Sequence, residues 1–321
     1  IDPTTNGFAV DRWKAYTTTG SSHTFQQVSD SPDGFEHSIK ITIGTGASPA
    51  AGNLNIVYQP IEGYNVSRLD FGTSAALSIV ASFWVKSSIT GNYGCSIHNS
   101  ALDRSYVGQY TVSVADTWEK KSVTFTGDTS GTWLKTNGTG MHINFDLGSG
   151  TDFEVAVDTW VPGNDKRVSG QAILVATSSA TIQFSGAQLE VGTTATPFER
   201  KTFDQELIAC QRYCQKLHGE VTNSMVSMQL CYSTTGSQGV LYYSKKRVAP
   251  TITQYSAGAT GWYLHYANTS SVVSAVPTFD MIDSTTCRIT ALVASGLTQG
   301  EAAYLRTGNA ADSYIIVDAE L

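Results

Sequence analysis

Met141-His142-Ile143-Asn144-Phe145-Asp146-Leu147 is the stretch whose reading decides the fold class. Successive side chains of an extended chain point to opposite faces, so Met141, Ile143, Phe145 and Leu147 share one face, and His142, Asn144 and Asp146 the other. One face is apolar enough to pack a core and the other is polar throughout, as in a half-buried strand. Leu77, Ile79, Ala81, Phe83 and Val85 alternate in the same way with Ser78, Val80, Ser82, Trp84 and Lys86. Ile39, Ile41 and Ile43 repeat the period of two, as do Tyr106, Tyr110, Val112 and Val114, and then Val123 and Phe125. Ile182, Phe184, Ala187 and Leu189 close the series across an expected bulge at Ser185-Gly186. Turn clusters such as Gly127-Asp128-Thr129-Ser130-Gly131 and Gly148-Ser149-Gly150 separate these runs.

The period changes once. Thr202-Phe203-Asp204-Gln205 has the form of a capping box. Leu207, Cys210, Cys214 and Leu217 then fall on one helical stripe, predicting a helix over 202–218 that ends near Gly219. Strand alternation returns at Val226, Met228, Leu230 and Tyr232, at Trp262, Leu264 and Tyr266, and at Cys287, Ile289 and Ala291. The expected architecture is all-β: two antiparallel β-sandwich, jelly-roll-like domains joined by one α-helix. Residues 1–200 form the first domain, 201–219 the connecting helix and 220–321 the smaller second sandwich.

Composition narrows the function. The chain has 321 residues, a net charge of −7 and only 15% charged residues, against 41% hydrophobic ones and 29 glycines. Wholesale disorder is excluded by that apolar content. The acidic balance without Lys/Arg clusters argues against nucleic-acid binding, and no apolar run is long enough to span a membrane as a helix. Five cysteines, Cys95, Cys210, Cys214, Cys231 and Cys287, are odd in number and sparse, so they read as buried and reduced. The opening Ile1-Asp2-Pro3 reads as a cut or processed end.

Catalytic motifs are missing: there is no Gly-x-Ser-x-Gly elbow, Walker loop or His-Glu-x-x-His. Asp146, Asp152, Glu154 and Asp158 could contribute a carboxylate pair, but turn-forming or solvated carboxylates read better, and no catalytic residue is assigned. No cofactor is expected. A structural Ca²⁺ would draw on Asp11, Asp33, Glu36 and Glu190, although no dense Asp-x-Asp loop exists. Sugar recognition needs flat rings beside hydrogen-bonding groups. Its candidates are the polar set His142, Asn144 and Asp146, together with Trp84, and Trp118, Trp133 and Trp160 near turns. The competing reading for each Trp is core packing, and for the triplet a solvated sheet face.

Two segments are less generic. Asn6-Gly7-Phe8-Ala9-Val10-Asp11-Arg12-Trp13 resembles the opening strand of bacteriophage tail-fibre and receptor-binding proteins. Gly186-Ala187-Gln188-Leu189-Glu190-Val191-Gly192, then Ala195-Thr196-Pro197-Phe198-Glu199, then Cys210-Gln211-Arg212-Tyr213 resembles the same proteins more closely. Lys245-Lys246-Arg247 before Val248-Ala249-Pro250-Thr251, and the ending Val317-Asp318-Ala319-Glu320-Leu321, extend the resemblance. The first two hundred residues also resemble a jelly-roll carbohydrate-binding module, through Phe83-Trp84-Val85-Lys86 and Trp118-Glu119-Lys120-Lys121. The resemblance implies a homotrimeric virion appendage that meets host surface polysaccharide or glycan beside other virion proteins, with an N-terminal attachment region lying elsewhere. The alternatives are a purely structural virion part, such as a fibre shaft, knob or capsid decoration, and a tail-spike depolymerase. Fold analogy does not choose among them.

Overall fold

A computed structural model of the chain describes residues 8–10, 12–218, 223–256, 258–308 and 313–321. They divide into two compact units, one reaching to Arg200 and the other running from Lys201 to Glu320.

The strands of the first unit begin β1 (Phe8–Val10), β2 (Trp13–Thr17), β3 (His23–Val28), β4 (Ser38–Ile43), β5 (Asn55–Glu62) and β6 (Ile79–Ser87). They continue β7 (Gly91–Asn99), β8 (Arg104–Val112), β9 (Glu119–Phe125), β10 (Thr139–Asp146), β11 (Trp160–Pro162) and β12 (Thr181–Val191). Two antiparallel sheets result, ordered β1-β2-β5-β10-β7-β8-β11 and β3-β4-β12-β6-β9. Their apolar faces meet in one core. Phe145 of β10 lies 4.7 Å from Phe83 of β6 and 4.5 Å from Phe184 of β12, ring centre to ring centre. Ile41, Val85, Ile97 and Ile182 around them are fully buried. Burying such side chains gains roughly 1.5–3 kcal/mol each, which is why the alternating register is held.

The expected bulge in β12 is present: the register against β6 shifts between Ser185 and Gln188. Gly186 sits there at φ +58°, and a Cβ at that position would stand 2.5 Å from the Phe35 ring. Beyond the bulge, Gln188 and Glu190 fasten the following segment to the strand. Glu190 accepts from Thr196 N at 2.8 Å and Thr196 Oγ1 at 2.7 Å, and Gln188 Oε1 accepts from Glu199 N at 2.7 Å. These bonds give the Gln-Leu-Glu segment a mechanical role.

The second unit opens with a helix, Phe203–Gln211, whose Thr202/Gln205 capping box forms as expected. It ends earlier than the stripe predicts. Cys214–Leu217 is a strand, β13, paired with the C-terminal strand in the register Cys214↔Asp318 to Leu217↔Ile315. The helix stops because β-pairing claims the backbone from Cys214 on, while Lys246 Nζ donates to the freed Gln211 carbonyl at 2.5 Å. Cys210 and Cys214 therefore do not share a helix face. Only Cys95, Cys231 and Cys287 are buried as expected; Cys210 and Cys214 are half-buried.

The remaining strands are β14 (Met225–Cys231), β15 (Gly236–Tyr242), β16 (Thr251–Tyr255), β17 (Trp262–Tyr266) and β18 (Thr269–Val272). After them come β19 (Thr278–Asp280), β20 (Thr286–Leu292), β21 (Ala302–Thr307) and β22 (Tyr314–Asp318). A three-stranded sheet, β13-β22-β16, and a seven-stranded one, β18-β17-β21-β14-β15-β20-β19, enclose a core around Trp262, Leu264, Ile289, Leu305, Ile315 and Val317. The chain is all-β, two antiparallel sandwiches with one helix of more than a turn among the described residues.

Candidate functional site

The polar side of β10 is covered by its own neighbours. Asn144 lies between Tyr58 of β5 and Ser96 of β7, and His142 between Pro60 and His98. On the far side of β5, Lys14 and Tyr16 of β2 stand opposite Tyr58 and Ile56. Tyr16 and Tyr58, both half-buried, form one wall of a cleft of about 310 Å³ whose floor carries Ile56, His142 and Asn144. Leu54, Leu102, Asn164 and Lys166 complete the lining.

Asn164 and Lys166 arrive on the loop that follows β11, and Asp146 holds that loop down. Its Oδ1 accepts from Gly148 N at 2.6 Å, Ser149 N at 2.8 Å and Gln171 Nε2 at 2.6 Å. Gly94 on β7 makes the approach feasible, because a Cβ there would stand 2.2 Å from the Lys166 carbonyl oxygen. Asp146 is 1% exposed and its Oδ2 has no partner; burial raises its pKa against the pull of these hydrogen bonds. This corrects its expected role: Asp146 is a bracket beneath the site, not a sugar contact.

Electrostatics in the cleft follow from burial. Lys166 is 2% exposed, and desolvation lowers its pKa to about 7 even though Asp146 and Asp165 act the other way. Its Nζ donates to the Asn164 side-chain and main-chain oxygens, the latter at 3.2 Å, and lies 3.4 Å from His98 Nδ1. Burial also drives His98 well below the usual range and His142 down to about 4, so both are neutral at neutral pH. His142 Nδ1 is buried without a partner. The arrangement offers the half-buried Tyr16 and Tyr58 rings and the Asn164 amide to a hydroxyl-rich ligand.

The tryptophans lie elsewhere. Trp84 and Trp118 belong to the outer side of the other sheet, Trp84 between Lys120 and Ser185 in register. Trp118 Nε1 donates to Asp30 Oδ1 at 3.2 Å, while Lys86 Nζ at 2.9 Å and Gln183 Nε2 at 3.0 Å share Oδ2. Trp133 is corrected from rim to core, and Trp160 is half-buried and packs against it. Their rings stand 5.5 Å apart and 4.8 and 5.8 Å from Phe71, all edge-to-face. Trp133 is 8% exposed, with Nε1 3.3 Å from Asp128 Oδ2. Asp128 in turn takes Arg104 Nε at 2.9 Å and Nη2 at 2.6 Å.

The structure brings together two of the seven expected contacts, His142 and Asn144. Tyr16, Tyr58, Asn164 and Lys166 were missed; for Tyr58 the alternation of Asn55–Glu62 was an available signal. Among the expected cation ligands, Asp33 and Glu36 are exposed, Glu190 is bound to Thr196, and Asp11 lies outside the described residues. No three His, Cys, Asp or Glu side chains gather as a metal site among the described residues.

A second feature is apolar. Met225, Met228, Leu230, Val240 and Tyr242 on β14 and β15 are all exposed, around a groove of about 620 Å³ with no charged residue in its lining.

No family model and no curated protein matches the chain. Among solved structures, a carbohydrate-binding module, CBM4, is 14% identical over 56% of this chain and 87% of its own, with a TM-score of 0.32. The CBM22-1–CBM22-2 tandem of Paenibacillus barcinonensis Xyn10C is 11% identical over 100% of this chain and 97% of its own, at 0.30. The enzymatically active domain of bacteriophage CBA120 tailspike protein 4 is 13% identical over 60% of this chain and 21% of its own, at 0.31. Likeness at this level does not say what this chain binds.

Proposed function

We propose that the chain is a non-catalytic glycan-binding protein, carried as a homotrimer on a phage virion appendage where it meets host surface polysaccharide. The observation that carries the binding is the cleft on the polar side of β10, lined by the half-buried Tyr16, Tyr58, His142 and Asn164. Rings under the apolar face of a sugar and amides on its hydroxyls are the two parts such recognition needs. The virion setting rests on the resemblance of the Asn6–Trp13 and Gly186–Tyr213 segments to tail-fibre proteins. The apolar side of β14 and β15 supports self-association, because an uncharged face carrying five exposed large side chains is of the kind that chains bury against one another.

A glycan array with the purified chain, beside its Tyr58→Ala variant and a measurement of mass in solution, tests this. Retention of a glycan by the parent and its loss in the variant supports binding. A trimer that retains no glycan favours the second reading, a purely structural virion part, for which the apolar face alone is enough.

A further inference from the structure

The cleft contains a buried ammonium group without a counter-ion. Lys166 is satisfied only by the two neutral oxygens of Asn164, because His98 Nδ1, 3.4 Å away, donates to Asn164 Oδ1 at 3.1 Å and cannot accept. Among the described residues it makes no ion pair. Burying a cation unpaired is costly, and proteins ordinarily supply a carboxylate or leave the amine in water. Two carboxylates favour the ammonium from nearby without pairing with it: Asp146 accepts from Gly148, Ser149 and Gln171 through Oδ1 and leaves Oδ2 without a partner, and Asp165 accepts from Ser105 Oγ at 3.3 Å. The chain as a whole carries a charge of −7, yet the cleft lining contains Lys166 and no Asp or Glu. Lys166 is thus the one cationic group that a ligand in the cleft would meet, and a cation complements an anion.

We infer that the saccharide seated in this cleft bears a carboxylate, as uronic and sialic acids do, and that its acid group is the counter-ion Lys166 lacks. This rests on the glycan-binding reading and names its ligand class. The half-buried Tyr16 and Tyr58 rings hold the sugar face, and the Asn164 amide nitrogen donates to a hydroxyl while its oxygens hold Lys166. The charge-assisted bond from Nζ to the ligand acid then sets the preference.

The inference implies a pH dependence. The groups facing Lys166 are His98 from β7, His142 and Asp146 from β10, and Asp165 from its own loop, with the Phe153 ring centre 5.9 Å from Nζ and Lys14 of β2 acting on His142. Both histidines are already neutral at pH 7, which leaves Lys166, at about 7, to titrate near neutrality. An anion favours the charged amine, so binding takes up a proton, and affinity for the acid falls about tenfold for each pH unit above 7.

The experiment uses the full chain on an array of uronic- and sialic-acid oligosaccharides beside their carboxyl-reduced, neutral counterparts, at pH 6 and pH 8.5. Expected is at least a roughly tenfold preference for an acidic member at pH 6 that shrinks at pH 8.5. In Lys166→Met the preference disappears while weak binding to the neutral counterpart persists. Methionine preserves volume and removes a buried charge, so melting should not fall. As a second readout, the Lys166 ε-carbon NMR titration should move to higher pH when the acidic oligosaccharide is added. Equal binding of acid and neutral members without pH dependence overturns the acidic ligand and leaves the glycan reading standing. Folded protein that binds no member overturns both.

Discussion

Trp133→Ala separates a tryptophan that builds the scaffold from one that touches ligand. Its ring is 8% exposed and packs edge-to-face on Phe71 and Trp160 at 4.8 and 5.5 Å. Removing a buried Trp or Phe side chain costs about 3–5 kcal/mol through lost transfer energy and the cavity left behind. The hydrogen bonds add little, because the indole donor leaves with the ring and Asp128 Oδ2 retains Arg104 Nε at 2.9 Å. About 4 kcal/mol in a unit of this size lowers its melting temperature by roughly 8–16 °C. Trp133→Phe, which keeps an edge for Phe71, should lose markedly less. The assay is calorimetry of the full chain, paired with glycan binding measured well below the transition, where the variant is folded and should bind like the parent. Unchanged melting together with lost binding would refute the core assignment and return Trp133 to the ligand.

Tyr58→Ala removes a half-buried ring from the cleft wall; glycan affinity should drop by about 1–2 kcal/mol, roughly fivefold to thirtyfold by titration calorimetry, with little change in melting. Gly94→Ala places a methyl group 2.2 Å from the Lys166 carbonyl oxygen, so the loop carrying Asn164 and Lys166 must lift. Overpacking of this kind costs about 1–3 kcal/mol, and glycan affinity should fall with stability. Asp30 is held down to about 2, first by its hydrogen bond from Lys86 and then by that from Gln183. A depressed carboxylate stabilises above its unfolded value and loses that contribution as pH falls from roughly 4 to about 2, so Asp30→Asn should flatten this part of a melting-versus-pH curve. Leu230→Lys puts a charge on the exposed face of β14; light scattering should show smaller particles while the unit's melting is preserved.

The fold was legible wherever burial was one-sided. Met141–Leu147 and Leu77–Lys86 declared their faces because one side meets the core and the other does not, and period two records that difference directly. The Ser185-Gly186 bulge was legible for the same reason, since the apolar phase slips there. Legibility failed at Cys214–Leu217. Its four residues fit a helical stripe by spacing, and what makes them a strand is β22, at the other end of the chain. Local pattern carries no trace of a partner that distant, so tertiary pairing overrode it.

The site was legible in half. His142, Asn144 and Asp146 could be read because they alternate with core residues, but nothing in that alternation tells the half-buried His142 from Asn144 and Asp146, which are both covered. The cover is the loop through Gly163-Asn164-Asp165-Lys166-Arg167, which in sequence is a charged turn and would ordinarily be solvated. Lys166 is buried because Gly94 has no side chain and Asp146 accepts from Gln171 further along the same loop, two conditions set on neighbouring strands. The same geometry explains why tryptophan was the wrong marker. A ring as large as Trp133 gains most by filling the space between two sheets, whereas Tyr16 and Tyr58, with a hydroxyl to keep wet, are stable at a half-exposed wall. Where a sandwich binds on its polar face, the residues to seek are therefore tyrosines in phase with a polar strand, and a glycine in phase beside them that lets a loop close over it.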